Sequence, residues 1–433
     1  MKRNFFCLLI CLCVSAESFA QDLKPCGTSV LARNRLKGEA SSGALVRQRI
    51  RRTGSDVPYI GDRRGLIILV DFPDQHFRDS VANETWTAIA NTRNYTDNGA
   101  TGSVSDYFRD QSYDQFRLTF DVVGPVQAQH DYAYYGDNKD WGDPTGWFDQ
   151  NVGVLVEEAC RGVADKVRFA DYDWDGDGEV EEVYILYAGH GENDYWSKDS
   201  TVIWPHMGRL SVDWEGYEDG LVLQGVRIDT YACSNEISRN GGLAGMGTIC
   251  HEFSHCLGLP DLYNTEEGTS VLGRYDLMDQ GNYNGNSWCP VGYSSYERYA
   301  CGWLSPLTVD ELEQVGLLLP LHRSPDVRIC RISPEANDYY LIEYREQASW
   351  DRYIPKSGFL AWHIDYDENA WQTNTVNNDP DHLRVEWMTL DETPMGIEPF
   401  VSDAHPVALL KLAPHIYLVR YADGSVRKVI LPH

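Results

Sequence analysis

The sequence predicts a mixed α/β (α+β) domain over residues 61–306, followed by a smaller β-rich domain over 307–433. Three observations carry that expectation. Strand and helix signals alternate through the first two thirds of the chain. The stretch 251–261 places chemistry-bearing residues at helical spacing. After Pro306 the signals change to short apolar runs separated by turns. With 433 residues and 42% hydrophobic content, the chain is long enough to bury two cores.

The first 20 residues read as an export signal. Lys2 and Arg3 form a basic start, Phe5 to Val14 an apolar run, and Ser18-Phe19-Ala20 a small-residue cleavage site. The apolar run falls short of the ~18 residues a membrane helix needs, as does every later one. The protein is therefore expected to be secreted or held at the cell surface. Residues 21–60 are basic and polar, as in a flexible arm or a short pro-segment. Within them Cys26 is read as a disulfide partner, or as a thiolate that holds the metal site latent. Three of the 11 cysteines lie in the leader; the others permit disulfides, with on the order of a hundred pairings open.

Gly65 to Phe72 is a run that is apolar except for Asp71 and ends at Pro73, the pattern of a strand buried on both faces. Ser103 to Gln111 has a serine cap and aromatic spacing that fit a short helix. Phe116 to Val123 reads as a second strand, and 131–147 as an aromatic, acidic loop. Val152, Leu155, Val156 and Ala159 then recur at a helical period. A strand from Val183 to Tyr187 follows.

Before that strand, residues 171–182 alternate acidic side chains with glycine, as a hard cation in a tight loop requires. Two registers compete. One starts at Asp171, with Gly176 sixth and Glu182 twelfth. The other starts at Asp173, with Gly178 sixth, and offers Asp173, Asp175, Asp177, Glu179 and Glu181 to calcium. An acidic solvated turn is the plain alternative.

His251-Glu252-Phe253-Ser254-His255 sets two histidines one helical turn apart on one face. From composition, HExxH is expected by chance about 0.02 times in such a chain, so a polar helix with a buried histidine is the weaker reading. Neutral imidazole is a good zinc ligand, and Glu252 lies beside the ion, placed to take a proton from water. Gly258 supplies the left-handed residue that ends the helix. Asp261 then returns a carboxylate to the same ion, although Asp after Pro is also an ordinary turn residue, and Glu297 could serve instead. Thr248 reads as the cap of this helix. The chemistry expected is zinc-assisted hydrolysis of peptide bonds. A rival reading is a calcium-stabilised surface adhesion or binding protein with a vestigial metal site. The formal charge of −28 argues against nucleic-acid partners and anionic membranes.

HEFSHCLGLPDLY, followed by YDLMDQGNYNG, resembles the immune inhibitor A family of secreted metallopeptidases, with their extended HExxHxxGxxD helix. LIILVDFPD, SVSDYFRDQSYDQFRLTFDVVGPV, VYILYAGHGE, IWPHMG and SSYERYACGWLSP are similar in the same order. YYLIEYREQASWDRYIPKSGFLAWHIDYDENAW and NNDPDHLRVEW are similar to the family's trailing β-rich region. The resemblance covers roughly residues 65–390. It implies a metzincin-like zinc endopeptidase acting on extracellular proteins. By position it carries His251, His255 and Asp261 over as ligands, Glu252 as general base and Met278 as the Met-turn residue. Tyr283 is the nearest candidate for a transition-state tyrosine, five residues beyond Met278. His363 and His382 read as strand or loop histidines. Ile416 to Tyr421 and Val426 to Leu431 read as a closing hairpin. That hairpin also resembles the last one of type IX secretion signal domains, which implies contact with secretion machinery.

Overall fold

The computed structural model describes residues 59–138, 149–194, 201–308, 319–331 and 337–389, with the backbone of three further strands between 406 and 430. Residues 1–58, Cys26 among them, lie outside the described residues. So do much of the 131–147 loop and all but the last residue of the short apolar run 316–319, which reads as a strand in the sequence.

A five-stranded sheet organises the first part of the chain. Its strands are β1 (Gly61–Asp71), β2 (Phe116–Gln127), β3 (Val183–His190), β4 (His206–Arg209) and β5 (Thr230–Ile237). They lie in the order β2-β1-β3-β5-β4, all parallel except the edge strand β4. The apolar run of β1 is explained by burial on both faces. Ile67 and Leu69 enter one apolar cluster, while Leu66, Ile68 and Val70 enter the other. β3 divides in the same way, with Tyr184 and Leu186 on one side and Val183, Ile185 and Tyr187 on the other.

Helices cover both faces. On one side lie α1 (Ala82–Asn91), α2 (Val104–Gln111) and α4 (Gly247–Cys256). On the other lies α3 (Val152–Val163). α2 begins as expected, with Ser103 and Asp106 closing a reciprocal capping box. α1 was not expected from the sequence. It lacks a side-chain cap, and only Ala82, Trp86, Ile89 and Ala90 mark its buried face. The expectation that Thr248 caps α4 is corrected: the helix begins at Gly247 after Met246, with no side-chain cap. Gly247 is needed there because a Cβ would lie 1.9 Å from the Asn282 carbonyl oxygen. That close approach brings the turn Gln280–Tyr283 against the start of α4.

A second five-stranded sheet contains β6 (Leu307–Thr308), β7 (Arg328–Arg331), β8 (Asp338–Arg345), β9 (Gly358–Asp365) and β10 (Val385–Thr389), in sequence order across the sheet. α5 (Ser295–Ala300) precedes this sheet, and α6 (Glu368–Gln372) follows β9. The apolar cluster beneath α4 includes Leu341, Leu360, Trp362, Trp371 and Val385. One core therefore runs continuously from the first sheet to the second, across residues 306–307. Near the C-terminus, Pro406–Ala413, Ile416–Tyr421 and Val426–Ile430 form an antiparallel three-stranded sheet, which contains the expected hairpin.

Candidate metal centre

α4 holds His251, Glu252 and His255 in the interior, each with no more than 1% of its surface exposed. Gly258 follows with φ 87°, the left-handed conformation glycine adopts without strain. The chain reverses there and returns Asp261, fully buried, to the histidine face. Asp261 Oδ1 lies 3.2 Å from His251 Nε2 and 3.5 Å from His255 Nε2. The imidazole planes stand at 89°, with centroids 5.1 Å apart. Glu252 Oε2 is 3.9 Å from His255 Nε2.

The second nitrogen of each ring is fixed from behind. His251 Nδ1–H donates to the Leu277 carbonyl at 2.8 Å, and His255 Nδ1–H to the Leu259 carbonyl at 2.7 Å. With protons held at Nδ1, both Nε2 lone pairs face a carboxylate oxygen, an arrangement that repels unless a cation or proton lies between. Four ligands at about 2.0–2.1 Å in a tetrahedron are roughly 3.3 Å from one another, and the two measured separations bracket that value. The donor set therefore fits a small divalent ion of the zinc type. Burial opposes charge on both rings. At His251 the hydrogen bond to Asp261 and the nearby carboxylates override it and push the pKa up to about 9. At His255 burial wins, pulling it down to about 4. Burial also opposes the charged form of Asp261, but the two histidines beside it hold its carboxyl below the usual range.

Met278 is fully buried. Its backbone carbonyl accepts from Leu262 N at 2.9 Å, and the adjoining Leu277 carbonyl is the one that holds His251. Tyr283 is half-buried at the end of the turn packed on α4. Glu297, the alternative third ligand, is elsewhere. It closes a capping box with Ser294 at the start of α5, accepting from Ser294 N at 2.6 Å.

A second acidic cluster lies before β3. Carboxylate oxygens of Asp173, Asp175 and Asp177 lie within 4.8 Å of one another. The loop supports itself: Asp173 accepts from Gly176 N at 2.7 Å and Gly178 N at 2.9 Å, and Asp177 from Glu179 N at 2.9 Å. All three aspartates belong to the register that starts at Asp173. Asp171 instead pairs with Arg64 and Arg168, and Glu182 turns into the interior at 3% exposure. Two further expected participants make contacts of their own. Glu179 pairs with Arg227 at 2.8 Å and Arg209 at 3.2 Å, because those guanidiniums also gather around buried Asp229. Glu181 accepts from Trp174 N at 2.6 Å. Burial first, then Asp175 and Asp173 nearby, push the Glu181 carboxyl up to about 8.

The sequence reading missed Asn374, which follows α6 and bonds twice to Asp261. A sequence signal existed, since a polar residue able to adopt left-handed backbone follows a short helix there. Nothing in the sequence tied it to a site 113 residues away.

A HExxH helix and a returning aspartate on a mixed sheet define the class, a metallopeptidase. The chain belongs to the immune inhibitor A peptidase M6 family: the profile of that family's catalytic domain matches residues 59–301, more than half of the chain. Two curated relatives, each named Pre-pro-metalloprotease PrtV, come from Vibrio cholerae serotype O1, strains M66-2 and ATCC 39315 / El Tor Inaba N16961. Each is 26% identical over 308 residues, covering 60% of this chain and 33% of the relative. The chain thus spans about a third of the length of the curated relatives it matches. Among the described residues, no helix is long and apolar enough to cross a membrane.

Proposed function

We propose that the chain is a secreted zinc-dependent endopeptidase acting on extracellular proteins, with His251, His255 and Asp261 holding the ion. The observation that carries the reading is the convergence of two Nδ1-protonated imidazoles and one carboxylate oxygen in the interior, with a second carboxylate beside them. When bound, zinc supplies Lewis acidity toward water and toward the scissile carbonyl. Glu252 takes one proton from the attacking water and delivers it to the amine nitrogen as the C–N bond breaks. Met278 and Leu277 serve as the floor that holds His251 in place. Tyr283 is the candidate donor to the developing oxyanion; Tyr283→Phe should lower kcat with little change in KM.

Replacing Glu252 by alanine should leave metal bound and cut casein digestion by at least about a hundredfold. A Glu252→Ala protein that digests casein at the parental rate would overturn the mechanism.

Asp173, Asp175 and Asp177 are proposed to hold a structural calcium ion. The leader at 1–20 is proposed to direct export, and the C-terminal hairpin to engage secretion machinery. Deleting residues 1–20 should keep the protein inside the cell, and undiminished export without them would remove the export proposal.

A further inference from the structure

We infer that Asn374 is a positioning residue of the metal centre, which makes the connection between β9 and β10 of the second sheet part of the catalytic unit. The inference rests on the zinc-peptidase reading above and extends it to a residue 73 positions beyond the end of the family match at residue 301.

Asn374 is buried at 2% exposure and makes a reciprocal pair with Asp261. The Asp261 backbone N–H donates to Asn374 Oδ1 at 2.7 Å, and Asn374 Nδ2 donates to Asp261 Oδ2 at 2.6 Å. The backbone bond fixes which way the amide points. An N–H can only donate, so the side-chain atom facing it must be the oxygen, and the NH2 group must face the carboxylate. That leaves Oδ1 alone turned toward both Nε2 atoms, at 3.2 and 3.5 Å. With Oδ2 held, the carboxylate can neither rotate away nor present both oxygens to the ion. Its hydrogen bond, like those behind the two histidines, orients a ligand.

The local fold explains why asparagine stands there. α6 ends with Asn374 at φ 55°, in the left-handed region. The Asn374 and Thr375 amides return to the Trp371 and Ala370 carbonyls, closing the helix end. Glycine and asparagine are the residues that suit such a position, and only asparagine adds an amide. α6 is itself anchored by Trp371, fully buried, whose indole N–H donates to the Tyr296 hydroxyl. Neighbouring residues fasten the same two segments. Asn377 Nδ2 donates to the Leu262 carbonyl at 2.8 Å, and Asn378 Oδ1 accepts from Thr265 N at 2.8 Å. The loop after α6 thus lies along residues 261–265, with one side chain reaching a ligand.

The test is zinc affinity of the full chain, measured by competition with a chromophoric chelator, beside casein digestion. Asn374→Asp keeps the acceptor for the Asp261 amide and replaces the donor to Oδ2 by a carboxylate oxygen that repels it. Asn374→Gly keeps the left-handed backbone and removes the amide. Each should weaken zinc binding by about ten- to a hundredfold. Asn378→Ala, which loosens the same loop without touching a ligand, should bind zinc as the parent does. Parental zinc affinity in both Asn374 variants would overturn the inference, and so would an equal loss in Asn378→Ala, which would assign the effect to loop docking. A parent chain that binds no zinc would instead overturn the proposed function, and this inference with it.

Discussion

Arg345 has its guanidinium committed on every side and no exposure to water. Nε donates to Asp351 at 2.7 Å, Nη1 to Glu343 at 3.1 Å, and Nη2 to the Gly292 carbonyl at 2.9 Å. Glu343 in turn accepts from Ser295 N at 2.6 Å, so the network joins β8 to the start of α5. Removing one member of such a network leaves buried charge unpaired, and Arg345→Met should cost about 3–5 kcal/mol, read from urea unfolding. Glu181 makes a pH-dependent contribution of the opposite kind. Its folded-state pKa, about 8, lies above the ordinary 4.5, so the folded chain holds a proton that the unfolded chain releases. In calcium-free protein, stability should be unaffected by this group below pH 4.5 and fall as pH rises from there to about 8. Glu181→Gln should flatten that decline in thermal-melt midpoints across the same range. At this scale the cluster of His251, His255 and Asp261 was legible because all three lie within 11 consecutive residues. Asn374 was not, because its meaning depends on which distant segment a short helix end meets.

The elements show the same division. β1 could be read from composition, since burial on both faces leaves an apolar run. The edge strand β4 could not, because four residues carry no period and its pairing with β5 is long-range. Ser294 and Glu297 held a capping-box signature in the sequence, which explains why Glu297 is a helix-start residue and stands apart from the metal cluster. Ser103→Ala and Ser294→Ala should each cost about 1 kcal/mol of stability, measured by denaturant unfolding. The loop Asp173–Gly178 carries the calcium proposal. Three carboxylates gathered within 4.8 Å repel one another without a cation. Millimolar calcium should therefore raise the melting temperature of the parent, and Asp175→Asn should abolish that rise. A melting temperature indifferent to both calcium and chelator would remove the ion from the account.

For the whole molecule, alternating strands and helices followed by short strands correctly implied a mixed α/β region and a β-rich sheet. What the sequence did not reveal is how the two meet, because helical and strand periods describe faces and not the partners that cover them. The shared core and the loop along residues 261–265 place the second sheet behind the metal centre. The described cysteines Cys160, Cys233, Cys250, Cys256, Cys289 and Cys301 are all free thiols, five of them buried, so packing accounts for them and disulfides do not. The central claim is that Asp261 completes a zinc site with His251 and His255. It is tested most directly by elemental analysis of purified protein after removal of loosely held metal. We expect one zinc per chain in the parent and in Glu252→Ala, and none in Asp261→Ala. A parent without zinc, or an Asp261→Ala protein that retains a full equivalent, would contradict it.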